Sequence, residues 1–199
     1  VAQRSRFNKE PNIDNRYNHL ILLAKDNQGY KNLCKLVSIG FTEGYYYKPR
    51  IDAEVIEKYH EGIVCLSGCL AGAVSQALLN GQEEKAEEIA LWYKKVFGED
   101  YYIEIQNNGI REQVLINQKL IQLARKLDIP LAATNDAHYL KKEDAYNHEI
   151  LLCIQTGKRM SDEDRMKFET DELYVKSPEE MSEYFAAFPD AIENTVKIA

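Results

Sequence analysis

PLAATNDAHYL, residues 130–140, begins with a proline, runs through an apolar stretch and then breaks into Asn135, Asp136 and, one residue on, His138. Pro130 lacks a backbone N–H and forces the chain out of any preceding helix, so the run Ile129–Ala133 is expected to be a buried strand. Upstream of it, Glu112–Leu127 places Leu115, Ile116, Leu120, Leu123 and Leu127 at helical spacing, the pattern of a helix with one apolar face. A helix feeding a buried strand that ends in a carboxylate and an imidazole is one half of a βα fold with its functional end exposed.

The same alternation extends toward the amino end. Leu20–Ala24, Ile63–Leu66 and Tyr101–Ile105 are short runs rich in branched apolar residues, as buried strands require. Helical patterns separate them: Asn27 to about Phe41, capped by Asn27, with Leu33, Leu36 and Val37 on one face, and Glu83–Phe97 with Ala86, Ile89, Ala90 and Tyr93. Strand and helix in alternation predict an α/β fold, a parallel sheet covered by helices, as an open sheet or a βα barrel. Four strands do not close a barrel, so in that architecture the others lie before Val1. The chain opens on valine, from which a piece of a longer protein is expected. Beyond the last strand, a helix is expected from about Glu143 to Gln155, then a polar loop at 157–164. Ser177-Pro178-Glu179-Glu180 has the form of a helix start, with serine at the cap and proline at the first helical position.

Composition narrows the function classes. The chain has 199 residues, 45% of them hydrophobic and 29% charged, with a net charge of -7, which suits one domain with a substantial core. No apolar stretch approaches a membrane span and no secretory signal is visible, so the expected compartment is the cytoplasm. Sequence-independent affinity for nucleic acid comes from clustered Lys and Arg, and an acidic chain offers no broad field of that kind. Cys34, Cys65, Cys69 and Cys153 form no CxxC pair and no dense spacing, so free thiols are expected.

In parallel βα folds, functional groups collect on loops past the carboxyl ends of strands. Two of the expected strands end in such groups: Ile63–Leu66 runs into Ser67-Gly68-Cys69, and Ile129–Ala133 into Asp136 and His138. Thiolate, carboxylate and imidazole on one rim suit a divalent transition metal, zinc, iron or manganese ahead of magnesium. The plainer readings stand beside this one: Cys69 as a small buried residue, Asp136 as a turn cap, His138 as a half-buried imidazole. His19, as the first residue of its strand, would point to the amino end, away from this rim, unless the strand boundary lies elsewhere. His60 in a polar turn and His148 within a helix suit solvent or packing roles. Residues 45–50 (YYYKPR) mix aromatics and cations as single-strand binding surfaces do, although one such cluster on an acidic chain suits a structural loop better. No phosphate-cradling glycine loop, G-x-S-x-G or H-E-x-x-H is present.

Taken together, HLILLAKDNQGYKNLCKLVSIGFTEGYYYKPRID (19–52), GIVCLSGCLAG (62–72), LAATNDAHYL (131–140) and LLCIQTGKRMSD (151–162) resemble the PHP (polymerase and histidinol phosphatase) domain found at the amino end of the alpha subunit of bacterial DNA polymerase III. The resemblance is ordered and covers nearly the whole chain, with 1–176 as the carboxyl-terminal portion of the domain and 177–199 as a helical transition toward the polymerase body. It implies a distorted βα barrel with a metal cluster at one end, in which His19, Cys69, Asp136 and His138 are ligands. The family's other ligands, a His-x-His pair, an Asp, a His and a Glu, belong upstream of Val1, and the polymerase carboxylates belong far downstream. Some relatives lack ligands at the positions of Cys69 and His138; this chain has both. The resemblance thus implies a multi-metal phosphoesterase of 3′–5′ exonuclease type within a DNA-directed DNA polymerase. Its implied partners are DNA and the other holoenzyme subunits, a proofreading exonuclease included. The alternatives are a metal-stabilised scaffold that docks that exonuclease, and a free-standing phosphoesterase. An open sheet edge in the chain by itself would also favour self-association.

Overall fold

A computed structural model describes residues 1–199 of the chain. Four strands form one sheet in the order β1 (Ile21–Ala24), β2 (Ile63–Leu66), β3 (Tyr101–Gln106) and β4 (Leu131–Thr134). β2, β3 and β4 are parallel, as the alternation predicts, and α3 (Ala73–Leu79) with α4 (Glu83–Phe97), then α5 (Arg111–Leu127), make the crossovers. The fully parallel sheet is corrected at β1, which pairs antiparallel to β2 with Ile21 opposite Leu66 and Ala24 opposite Ile63.

The reason lies in the connection. Instead of one helix returning the chain to the start of the sheet, α1 (Asn27–Thr42) leaves and α2 (Ala53–Lys58) comes back, so β2 starts where β1 ends. Lys25 N–H donates to Gly62 O at 2.8 Å, and Asn32 Nδ2 donates to Glu61 O at 2.8 Å. At this seam Gly29 and Gly62 touch backbone to backbone: a Cβ on Gly29 would lie 1.8 Å from Gly62 O. The helix cap also sits one residue earlier than expected, with the Asp26 carboxylate accepting from Gly29 N–H at 2.7 Å.

Alternation along the strands separates two faces. Ile63, Cys65, Tyr101, Ile103, Ile105, Leu131 and Ala133 face the main core, where α3, α4 and α5 contribute Val74, Leu78, Ala90, Tyr93, Ile116 and Leu120. Each such aliphatic side chain contributes about 1.5–3 kcal/mol through burial. The other face carries Leu66, Glu104, Gln106, Ala132 and Thr134. β4 starts two residues later than expected because Ile129 is still tied to the end of α5, its N–H donating to Ala124 O at 2.9 Å after the left-handed Asp128. α6 spans Ala145–Thr156, close to expectation. α7 (Pro178–Tyr184) carries the expected capping box, Ser177 with Glu180, and α8 (Pro189–Ile198) runs along β4, where Asn194 Nδ2 donates to Leu131 O. The short helices α2 and α3 have no counterpart in the sequence expectations, whereas α7 and α8 fall within the helical stretch expected at 177–199. No helix is long and apolar enough to cross a membrane.

The YYYKPR loop has a structural use. Arg50 is 2% exposed and donates to four backbone carbonyls, those of Gly44, Asp14, Arg6 and Asn8. Four of its five N–H donors are spent on backbone and the group is buried, so the loop serves as a pin between the amino-terminal segment and the end of α1.

Two carboxylates near the carboxyl end connect the fold to pH. Hydrogen bonds from the Tyr174 hydroxyl and Ser177 N–H hold Glu180 below its usual range. Burial raises Glu172, but Lys142 and the Tyr184 hydroxyl outweigh it and leave its carboxyl lowered. Carboxylates with lowered folded values stabilise the fold fully above their unfolded values, about pH 4.3 for Glu, and lose that contribution as pH falls through the lowered ones. The urea midpoint is therefore expected to drop on acidification below about pH 4. A Glu172→Gln chain should show a shallower drop; an equally steep one would show that other groups drive it.

Candidate metal centre

The antiparallel β1 brings its first residues to the rim formed by the carboxyl ends of β2, β3 and β4. His19 therefore stands beside the loop after β2: its N–H donates to Ala71 O at 3.0 Å, and its Nδ1 lies 3.5 Å from Cys69 Sγ. The doubt attached to His19 by a parallel β1 disappears with the corrected strand direction. Gly68, at φ 83°, makes the approach possible, since a Cβ there would meet His19 O at 3.0 Å. Burial pushes the Cys69 thiol up, with a partial offset from Ala71 N–H and a further rise from the charges of Glu104 and Asp136.

The second pair comes from the loop after β4. Asp136 Oδ1 lies 3.4 Å from His138 Nε2. The loop is held from outside the sheet, with His138 N–H donating to Leu173 O at 2.8 Å and Asn135 Nδ2 to Tyr174 O at 3.0 Å. The His138 ring packs against Phe168, centroids 5.0 Å apart, and against His148 at 5.4 Å. His148 thus packs among the rings beside the rim, in keeping with the packing role expected of it, while His60 stacks edge-on to Phe97. Burial and the neighbouring His138 lower the His148 pKa.

The four expected ligands form two pairs. No three His, Cys, Asp or Glu side chains converge on one metal position. Between the pairs, on the middle strand, stands Glu104, which sequence reasoning passed over. A glutamate inside YYIEIQ, flanked by apolar residues on a strand buried on both faces, was the available signal. Burial pushes its carboxyl up, hydrogen bonds from Thr134 and Gln106 and the backbone N–H of Gly68 pull the other way, and the Asp136 charge adds to the rise. Its Oε2 is buried without a hydrogen-bond partner. The donor types on the rim, two imidazoles, a thiol and carboxylates, together with an unpaired buried carboxylate oxygen, suit a divalent cation.

A mixed sheet whose parallel strands carry metal-ligand residue types on one rim defines a class that comparison with known proteins identifies. The PHP domain family matches residues 3–108, more than half of the 199, and the chain belongs to this family. Over its whole length the chain is 48% identical to the DNA polymerase III subunit alpha of Borreliella burgdorferi and 49% identical to that of Treponema pallidum. It is 53% identical to that of Deinococcus radiodurans over 82% of its length. The chain spans 17%, 17% and 12% of these relatives. The family match includes His19, Cys69 and Glu104; Asp136 and His138 lie in the part covered by the relatives alone.

Proposed function

We propose that this chain is the PHP region of a DNA-directed DNA polymerase of the polymerase III alpha type, and that its rim is a divalent-metal centre for phosphoester hydrolysis at the 3′ end of a DNA strand. The observation that carries the metal reading is the antiparallel β1, which sets His19 against Cys69 on the rim that also bears Asp136 and His138. Zinc, manganese or iron fits these donors best. Bound metal supplies an acidified water and charge neutralisation for the phosphoryl oxygens. The chain's own part is to hold donors: Cys69 loses its proton on binding, Asp136 and His138 present Oδ1 and Nε2, and the 173–174 strap keeps their loop in place. In this reading the sheet is part of a distorted barrel, residues 177–199 lead toward the polymerase body, and DNA and other holoenzyme subunits are the partners of a cytoplasmic protein.

A second reading has an observation of its own. Tyr30, Cys34, Val37 and Phe41 lie at spacings of four, three and four along α1, and all four are exposed. An unpaired apolar helix face is the surface a scaffold offers, either to a separate proofreading exonuclease or to another copy of the chain, with the metal serving only stability.

His138→Ala is expected to lose bound metal by elemental analysis and, with it, Mn²⁺-dependent removal of 3′-terminal nucleotides from single-stranded DNA. Metal lost without any hydrolysis in the unmodified chain would favour the scaffold. Full metal retention in the variant would remove His138 from the centre.

A further inference from the structure

Glu104 is 5% exposed, and only half of its carboxylate is accounted for. Oε1 accepts from the Thr134 hydroxyl and from Gln106 Nε2 at 3.0 Å, while Glu104 N–H donates to Ser67 Oγ at 2.9 Å. These contacts tie the side chain and its strand to both neighbouring strands. Gln106 is itself fixed by Gln113 Nε2, at 3.1 Å from its Oε1. The carboxylate is therefore held in place, and its second oxygen is the part the chain leaves unmatched.

An unpaired buried polar atom costs about 1–3 kcal/mol, and more when charged. Here the neighbouring Asp136 carboxylate compounds the cost, and the Gly68 N–H offsets it only in part. Two further buried atoms in the loops beyond the same strands have no partner: Asn108 Nδ2, after β3, and Asn135 Oδ1, after β4. Unmatched buried polar groups collected at one end of a sheet mark a place filled by something the chain does not supply. A permanently protonated glutamate would need no such filling, but a glutamine would then serve equally well at this position.

We infer that Glu104 is a fifth group of the metal centre, standing on the middle strand between the His19–Cys69 and Asp136–His138 pairs and offering Oε2 to the cation or to a water bound to it. The inference rests on the proposed metal reading of the rim. It gives the two separated pairs a common negative centre, which neither pair provides alone.

Glu104→Gln keeps the shape and an acceptor for Thr134 while removing the charge. Zn²⁺ and Mn²⁺ titrations of the full chain, by competition with a chromophoric chelator, are expected to show affinity falling 10- to 100-fold, the usual range for a group supporting a metal site (about 10–100-fold). Thermal melts in chelator are expected to show the glutamine chain at least as stable as the unmodified one, because a buried charge without a partner has been removed. Opposite signs in the two measurements separate a metal role from a packing role. Unchanged affinity in Glu104→Gln alongside loss in Cys69→Ala would overturn the role of Glu104 and leave the rim reading intact. No metal bound to the unmodified chain would overturn both.

Discussion

Arg50→Ala is expected to destabilise the chain by about 4 kcal/mol, measured as the shift of the urea unfolding midpoint at constant slope. The guanidinium is buried and donates to the carbonyls of Gly44, Asp14, Arg6 and Asn8. Removing it strands several buried acceptors at once, each costing about 1 kcal/mol or more, and leaves a cavity beneath the Tyr46 ring, 5.4 Å away. Lysine is a poor substitute, because one ammonium with three donors cannot span four acceptors spread around a planar fork. Arg50→Lys should therefore recover less than half of the loss. A loss under about 1 kcal/mol in the alanine chain would mean that water replaces the guanidinium at these carbonyls.

Gly29→Ala should be the more consequential change for function. The new Cβ would sit 1.8 Å from the Gly62 carbonyl oxygen, a backbone atom fixed by Lys25 N–H. Overpacking typically costs about 1–3 kcal/mol and here falls on backbone, while the gain in helix propensity is about 1 kcal/mol. The clash is with fixed backbone and so lies at the upper end of that range, and the net loss is expected to reach about 2 kcal/mol. Relief of the clash parts β1 from β2 at the seam, and the same displacement carries His19 away from Cys69, so metal affinity should fall together with stability. Gly40 is the internal control. It lies in the same helix with its nearest neighbours at 3.6 Å, so Gly40→Ala should be neutral or stabilising and leave metal binding unchanged. Matching effects from the two glycines would show that the seam does not position His19.

The extent to which the candidate site was legible obeys the same division between local pattern and long-range contact. Cys69, Asp136 and His138 could be located from sequence because each comes a few residues after a recognisable apolar run, and the ends of parallel strands share one rim. Their proximity to one another could not, since strand order and loop course decide it. His19 was assigned by resemblance against the local reading, and only the direction of β1 resolved that conflict. Glu104 broke the apolar pattern of its strand and went unused; the packing role expected of His148 holds, although nothing in the α6 sequence indicates that its partner is the His138 ring.

Local periodicity, turn and cap chemistry and linear strings of residues carry the α/β class, the four strands, the three long helices between them, the capping box at Ser177 and the family. Long-range packing alone sets β1 against β2, spends Arg50 as a structural pin and leaves Glu104 Oε2 without a partner between two pairs of candidate ligands. Those outcomes depend on where the chain returns after an excursion: the contact of Gly29 with Gly62 joins residues 33 positions apart, and no local pattern encodes a meeting at that range.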